Sequence, residues 1–218
     1  MNIRDLFGCS PSADSIVNFL REINLQDGDL TPEVKAYPDM VYFNYHKLGV
    51  SLQFAPRGGY KPKVGLARSQ LKDDCLRLEG IDIYNESKPR TGDARPQASS
   101  QSVQCAFSPY PLLPLRISRA ASAHGEGSAQ SFISIAANTT GKEFVSWLGE
   151  PCRKGGGTGP SSGSINIWCE WSKEGIMVEF GGTEARGPQA WERGKDAVWQ
   201  VVTVFSPDER SVSVGNDP

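Results

Sequence analysis

Residue types that commonly carry out catalysis are present, but they are not spaced as catalysis requires. The chain has two histidines, His46 and His124, and a nucleophile-and-base pair would need one of them close to a serine or cysteine. His46 lies in a segment of alternating polarity that is typical of a strand, and His124 lies in a polar tract. Glu170 and Glu179 can approach each other across a hairpin, but such acids ordinarily form surface ion pairs. The sequence therefore predicts no catalytic residues, and we do not expect an enzyme.

The cysteines are odd in number, widely scattered and contain no C-x-x-C pair. A structural zinc site needs clustered thiolates or imidazoles, and neither occurs here. We therefore predict no metal site and expect free thiols in a reducing compartment. The five cysteines are Cys9, Cys75, Cys105, Cys152 and Cys169.

A glycine-rich run, GGGTGPSSGS, begins at Gly155 and suggests a phosphate-binding loop. Such a loop needs a lysine and a serine or threonine after its last glycine, and a helix that follows. Here Gly163 is followed by Ser164 and Ile165, which begin a strand-like segment. The pattern predicts a flexible loop over 154–163, and no cofactor is expected.

The overall charge gives no global attraction to nucleic acid or to an anionic membrane, since the net charge is -2 and 22 % of residues are charged. A basic insertion at 55–76 could meet phosphates, but a small charged insertion is usually only solvated, so we predict no nucleic-acid binding. The sequence has no run of membrane-spanning length and no signal peptide at its beginning. These features predict an intracellular, cytoplasmic location, with the nucleus as the alternative.

Two segments of alternating apolar and polar residues dominate the pattern, YFNYHKLGVSLQF at 42–54 and INIWCEWSKEGIMVEF at 165–180. Each predicts two antiparallel strands, because residues two apart share one face of a strand. Gly49 and Gly175 fit the turns, since glycine adopts a positive φ without a clash. Aligning these two glycines places Tyr42 on Trp168 and Phe54 on Phe180 without a gap, which indicates an internal repeat.

The predicted fold class is α+β, a tandem repeat of a helix plus a three- to four-stranded antiparallel sheet. The first helix, within 11–24, carries an apolar stripe of Ile16, Phe19, Leu20 and Ile23, and the second spans 142–148. The predicted segments are a first unit at 11–85, a flexible Pro/Ser-rich linker at 86–130 with an apolar stretch at 107–117, a second unit at 131–206 and a polar tail at 207–218.

The sheet face opposite the predicted core combines aromatic and polar side chains, as protein interfaces do. We predict that it binds another protein, unless the linker, the proline-rich segment or the other sheet covers it. The candidate partner-binding residues are Tyr42, Asn44, His46, Gln53, Tyr84, Trp168, Glu170, Met177 and Trp199.

Four strings carry a resemblance to known families: LPLRIS at 113–118, TTGKEFVSWLGEPCRKGGG at 139–157, IWCEW and GIMVEF. They are similar to a pattern shared by small helix-plus-antiparallel-sheet domains of the BamE/SmpA type, the tandem β-lactamase-inhibitor-protein type and the bacterial toxin-immunity type. The chain departs from that pattern in lacking a lipobox cysteine and in its long insertions at 56–75 and 86–130. The resemblance implies a noncatalytic scaffold that binds proteins.

These observations predict a noncatalytic intracellular protein-binding module that is inhibitor-, immunity- or adaptor-like. Two alternatives remain open at this stage. One is a small-ligand or lipid carrier with a cleft between the sheets, and the other is a hydrolase with a site between the two units.

Overall fold

A computed structural model of the chain describes residues 2–85, 106–119, 132–158 and 164–207. These residues form an α+β fold around an eight-stranded antiparallel sheet, with a separate two-stranded sheet of β5 and β6. The strands are β1 (Glu33–Ala36), β2 (Val41–Tyr45), β3 (Val50–Pro56), β4 (Leu76–Tyr84), β5 (Leu115–Ser118), β6 (Phe132–Ile135), β7 (Arg153–Thr158), β8 (Ser164–Trp171), β9 (Ile176–Phe180) and β10 (Trp199–Phe205). The α-helices are α1 (Asp14–Ile23), α2 (Gly141–Leu148) and α3 (Ala190–Arg193).

The large sheet consists of two meanders that share a seam. Its strand order is β1-β2-β3-β4-β10-β9-β8-β7, so β4 and β10 pair at the centre. The seam is antiparallel and places Asp82 opposite Thr203. The two predicted sheets are therefore one continuous sheet, with β1 and β7 at its edges.

The turns at Gly49 and Gly175 have the geometry that the sequence predicts. Their φ angles are 64° and 60°, in the left-handed region where a side chain is strained. A Cβ atom on Gly49 would lie 2.4 Å from the carbonyl oxygen of Ser108, and one on Gly175 would lie 2.2 Å from that of Phe205. Both positions therefore require glycine for backbone conformation and for space.

The core lies on one side of the large sheet, where the helices and the small sheet pack. All four residues of the predicted α1 stripe are buried in the core. Helix α2 begins at a capping box, in which the N–H of Thr140 donates to the carboxylate of Glu143 at 2.8 Å, and its Phe144 is fully buried. Ile117 and Ile133 extend the same core from β5 and β6. The predicted helices at 11–24 and 142–148 are confirmed.

The connecting segments are more ordered than the sequence suggests. Within the basic insertion, Arg68 forms a paired contact with Asp73, and its guanidinium lies 4.9 Å from the ring centroid of Phe43. Residues Arg153–Thr158 form β7, so the predicted flexible loop is wrong for that part of 154–163. Of the predicted linker, only residues 106–119 are described. Ser108 and Tyr110 hydrogen-bond to the first meander, Leu115–Ser118 form β5, and Arg119 pairs with Glu174 of the second meander. The rest of 86–130, and the tail beyond residue 207, lie outside the described residues.

No helix in the described ranges is long and apolar enough to cross a membrane.

Candidate binding face

The side of the large sheet opposite the core forms a continuous face, which we call the open face. Its central row crosses all eight strands, because the cross-strand partners align from one edge to the other. In order from β1 to β7, the row consists of Glu33, Asn44, Ser51, Asp82, Thr203, Met177, Glu170 and Arg153.

Eight of the nine predicted partner-binding residues lie on the open face or at its rim. Seven of them are partly exposed: Tyr42, His46, Gln53, Tyr84, Trp168, Glu170 and Met177. Asn44 is buried, with 7 % exposure, and accepts a hydrogen bond from the hydroxyl of Ser51 at 2.7 Å. His46 follows β2 in a 3-10 turn, and its Nε2 lies 2.6 Å from Oε2 of Glu33. That hydrogen bond lowers the pKa of Glu33.

The placement of Trp199 on this face is wrong. In a regular strand Trp199 and Val201 would share one face. A β-bulge between them shifts the alternation of β10, so Trp199 points into the core while Val201 stays on the open face. Trp199 is 1 % exposed, and its indole N–H donates to the carbonyl oxygen of Ala136 at 2.8 Å. It is a core residue.

Phe107 covers part of the open face beside β4. Its ring stacks on Tyr84 with a centroid distance of 3.8 Å and an interplanar angle of 2°, and it lies 4.3 Å from the His46 ring. The N–H of Ser108 donates to the carbonyl oxygen of His46 at 2.8 Å, which fixes the segment. The alternative that the proline-rich segment covers the face therefore holds for Tyr84, while Tyr42 and Trp168 remain partly exposed.

Asp82 lies in the middle of the sheet on β4. The amide of Gln53 and the hydroxyl of Thr203 both donate to its Oδ1, at 2.8 and 2.7 Å. Burial raises the pKa of Asp82, the two hydrogen bonds oppose that shift, and the charge of Glu179 adds to it. A strand interior is an unusual place for a carboxylate, and such a perturbed group marks a candidate functional site.

A cavity of about 550 Å³ opens above Asp82. Burial and the nearby carboxylate of Asp82 raise the pKa of both Tyr42 and Tyr84, so the aspartate and the two phenols share one environment. Tyr37 packs edge-on against Tyr42 at 6.1 Å. The lining residues are Lys35, Tyr37, Asp39, Met40, Tyr42, Asn44, Ser51, Asp82, Tyr84 and Phe107.

At the other end of the open face, Trp168 lies flat over Gly155. A Cβ atom on this glycine would come within 2.7 Å of the indole, so the absence of a side chain lets the ring lie against β7. The guanidinium of Arg153 is 6.0 Å from the Trp168 ring centroid, and it also donates to Glu170 at 3.2 Å. These contacts orient a large aromatic ring at a partly exposed position.

A second cavity, of about 310 Å³, lies on the core side of the sheet. Its apolar lining includes Ile167, Cys169 and Phe180, and three lysines also line it. Burial raises the pKa of the Cys169 thiol to about 11, so this cysteine is a core residue with little thiolate at neutral pH.

Within the described residues, no group of three or more His, Cys, Asp or Glu side chains is arranged to hold a metal ion. Sequence reasoning did not include Asp82, Tyr37 or Phe107 among the candidate binding residues. For Asp82 a signal existed, because a carboxylate stands between Ile81 and Ile83 in a strongly apolar strand.

The chain matches no protein-family model, no curated protein and no solved structure.

Proposed function

We propose that this chain is a noncatalytic intracellular protein-binding module that acts as an inhibitor, immunity protein or adaptor through its open face. The observation that carries the proposal is the series of large, partly exposed side chains across one sheet: Tyr42, Trp168 and Met177. Rigid aromatic rings bury much area with little loss of conformational entropy, so they dominate binding energy at protein interfaces. The resemblance to inhibitor and immunity domains supports the same role.

We also propose that the two meanders are copies of one helix-plus-sheet unit. The register supports this, because Leu52 pairs with Ile81 as Val178 pairs with Val202. The glycine alignment sets Leu52 on Val178, and a separate alignment of the last strands sets Ile81 on Val202. The turns support it too, since the N–H of Tyr84 donates to the Gly49 carbonyl at 3.0 Å and that of Phe205 donates to the Gly175 carbonyl at 2.9 Å. A repeated unit would give the open face two related halves.

The binding proposal is tested by capture of partners from the native extract, with mass spectrometry of what is retained. Trp168→Ala removes the ring at the β7 end of the open face. Trp191→Ala is the matched control, because Trp191 lies on α3, lines the second cavity and is 43 % exposed. We expect a stoichiometric partner to be retained by the wild type and by Trp191→Ala, and to be lost from folded Trp168→Ala.

Retention of the same partner by all three proteins would place the interface elsewhere. If the wild type retains no partner at all, the binding proposal is wrong for that extract and a ligand-binding role gains weight.

A small-ligand carrier is a second candidate, favoured by the cavity of about 310 Å³ on the core side. The combination of an apolar lining with Lys142, Lys154 and Lys195 suits a ligand with an apolar body and an acidic head. Native mass spectrometry of the purified protein would show such a ligand as an added mass that Trp191→Ala reduces. A protein with no bound mass before and after incubation with long-chain carboxylates would contradict this role.

A further inference from the structure

We infer that the cavity above Asp82 is a specific site for the ammonium group of a lysine side chain supplied by the partner protein. This inference rests on the proposed function and adds the chemistry of the contact. Three features of the cavity lead to it: an incompletely paired carboxylate, aromatic walls and the balance of charge at the rim.

The protein holds the carboxylate of Asp82 in place but donates hydrogen bonds to only one of its two oxygens. Both donors, Gln53 and Thr203, reach Oδ1, and Oδ2 accepts no hydrogen bond from any described residue. Asp82 nevertheless lines the cavity. Oδ2 is therefore available at the cavity to a cationic donor from outside, and a charge-assisted hydrogen bond of that kind is stronger than a neutral one.

The walls of the cavity favour the same kind of ligand. Tyr37, Tyr42, Tyr84 and Phe107 line it, and aromatic faces attract cations that lie over them. Stacking on Phe107 fixes the orientation of the Tyr84 ring, and edge-on packing against Tyr37 fixes that of the Tyr42 ring. The alkyl stem of a lysine would pack against these rings while its head reaches Asp82.

Charge at the rim does not cancel this attraction. Among the described residues that line the cavity, Lys35 is the one cation. Its ammonium lies 3.8 Å from the carboxylate of Glu33, which offsets its charge. Asp39 adds a second acid to the lining. The cavity as a whole is complementary to a positive group.

The geometry favours an ammonium over a guanidinium. Arginine binds carboxylates best through two parallel hydrogen bonds, one to each oxygen. Oδ1 of Asp82 already accepts two hydrogen bonds, so only Oδ2 remains. A compact ammonium needs one such acceptor and gives its remaining protons to water or to phenol oxygens.

The direct test is titration of the isotope-labelled protein with Nα-acetyl-lysine-methylamide, followed by amide chemical shifts. Nα-acetyl-norleucine-methylamide has the same chain without the charge, and the arginine analogue carries the other cation. We expect saturable shifts on β3 and β4 with the lysine probe, weaker ones with arginine and none with norleucine. Equal shifts with norleucine, tighter binding of arginine or no saturable shift with lysine would each overturn the inference.

Variants of the lining residues sharpen the test. Asp82→Asn keeps the Oδ1 acceptor for Gln53 and Thr203 and should weaken lysine binding about tenfold or more. Tyr42→Leu should weaken it about twofold to fivefold. Lys35→Gln removes a like charge and should strengthen it, and a weaker affinity in this variant would contradict the assigned charge of the site.

Capture of the partner separates this inference from the proposed function. If Trp168→Ala loses the partner while Asp82→Asn keeps it at full affinity, the open face binds protein but the lysine site is refuted. If both variants lose the partner, and acetylation of the partner's lysines also prevents binding to the wild type, both proposals stand. If Asp82→Asn loses the partner and Trp168→Ala keeps it, the lysine site is supported and the interface lies on the β1 side of the open face.

Discussion

Two tryptophans on opposite sides of the sheet provide a sharp test of the structure. Trp199 is 1 % exposed in the core, whereas Trp168 is partly exposed on the open face. The same change to alanine should therefore act mainly on stability at one position and mainly on binding at the other. Without its bulge, the regular alternation of β10 would place Trp199 on the open face, on the same side of the sheet as Trp168.

The expected cost of Trp199→Ala follows from its burial and its hydrogen bond. Replacing a buried aromatic residue by alanine costs about 3–5 kcal/mol of unfolding free energy. The change also leaves the carbonyl oxygen of Ala136 without its indole donor, which adds about 1 kcal/mol. In a domain of this size, each kcal/mol lowers Tm by roughly 2–4 °C, so a total of about 4–6 kcal/mol corresponds to roughly 8–24 °C. Trp168→Ala should cost about 1 kcal/mol, since it leaves no closed cavity.

The assay is thermal and urea unfolding followed by circular dichroism, which does not depend on the tryptophan that each variant lacks. Trp199→Phe is the matched control, because it keeps most of the apolar area and removes the N–H donor, and we expect it to fall between the wild type and Trp199→Ala. If Trp199→Ala lowers Tm no more than Trp168→Ala does, the burial of Trp199 and the bulge in β10 are refuted.

Three further predictions concern other parts of the molecule. The pKa of Asp82 is raised in the folded state, so ionisation of Asp82 destabilises the fold as the pH rises through that pKa. Asp82→Asn should therefore raise the unfolding free energy at neutral pH, and this gain should vanish below the ordinary aspartate pKa of 3.8. A gain that is constant across pH would contradict the reasoning. Gly49→Ala and Gly175→Ala should each lower the free energy of unfolding, measured in urea, by at least about 1 kcal/mol. Both glycines have a positive φ, and other atoms occupy the space that a Cβ atom would need. A variant with unchanged stability would argue against the turn at that position. Iodoacetamide at mildly alkaline pH should alkylate exposed Cys152 in the native protein and reach Cys169, whose pKa is about 11, only after unfolding, as peptide mass mapping would show.

Local pattern was enough to predict the hairpins and the helices. The alternation through Phe43 and Leu52 places these side chains in the core, and the glycine turns at 49 and 175 follow from backbone sterics. The apolar stripe of α1 has helical spacing and is buried as expected. Each of these features depends on residues within a few positions of one another.

Features that depend on distant partners were not predictable in the same way. The bulge that turns Trp199 inward depends on the pairing of β10 with β9. Gly155 joins a strand because the ring of Trp168 and the backbone of β8 lie beside it, while its own sequence reads as a loop. The cavity needs Phe107 from a segment that sequence alone assigns to a linker. Only contacts across the fold determine these outcomes.

The seam between β4 and β10 has a consequence for how the chain acquires its structure. Thr203 and Asp82, which are hydrogen-bonded across the seam, are 121 positions apart in the chain, whereas neighbouring strands within each meander are joined by shorter connections. Contacts between distant positions form late, because a long loop must close first. During synthesis, therefore, the first meander emerges with the β4 edge unpaired until residues 199–205 arrive. An exposed strand edge is prone to association with other chains, so the β4 edge is open to such association until β10 covers it.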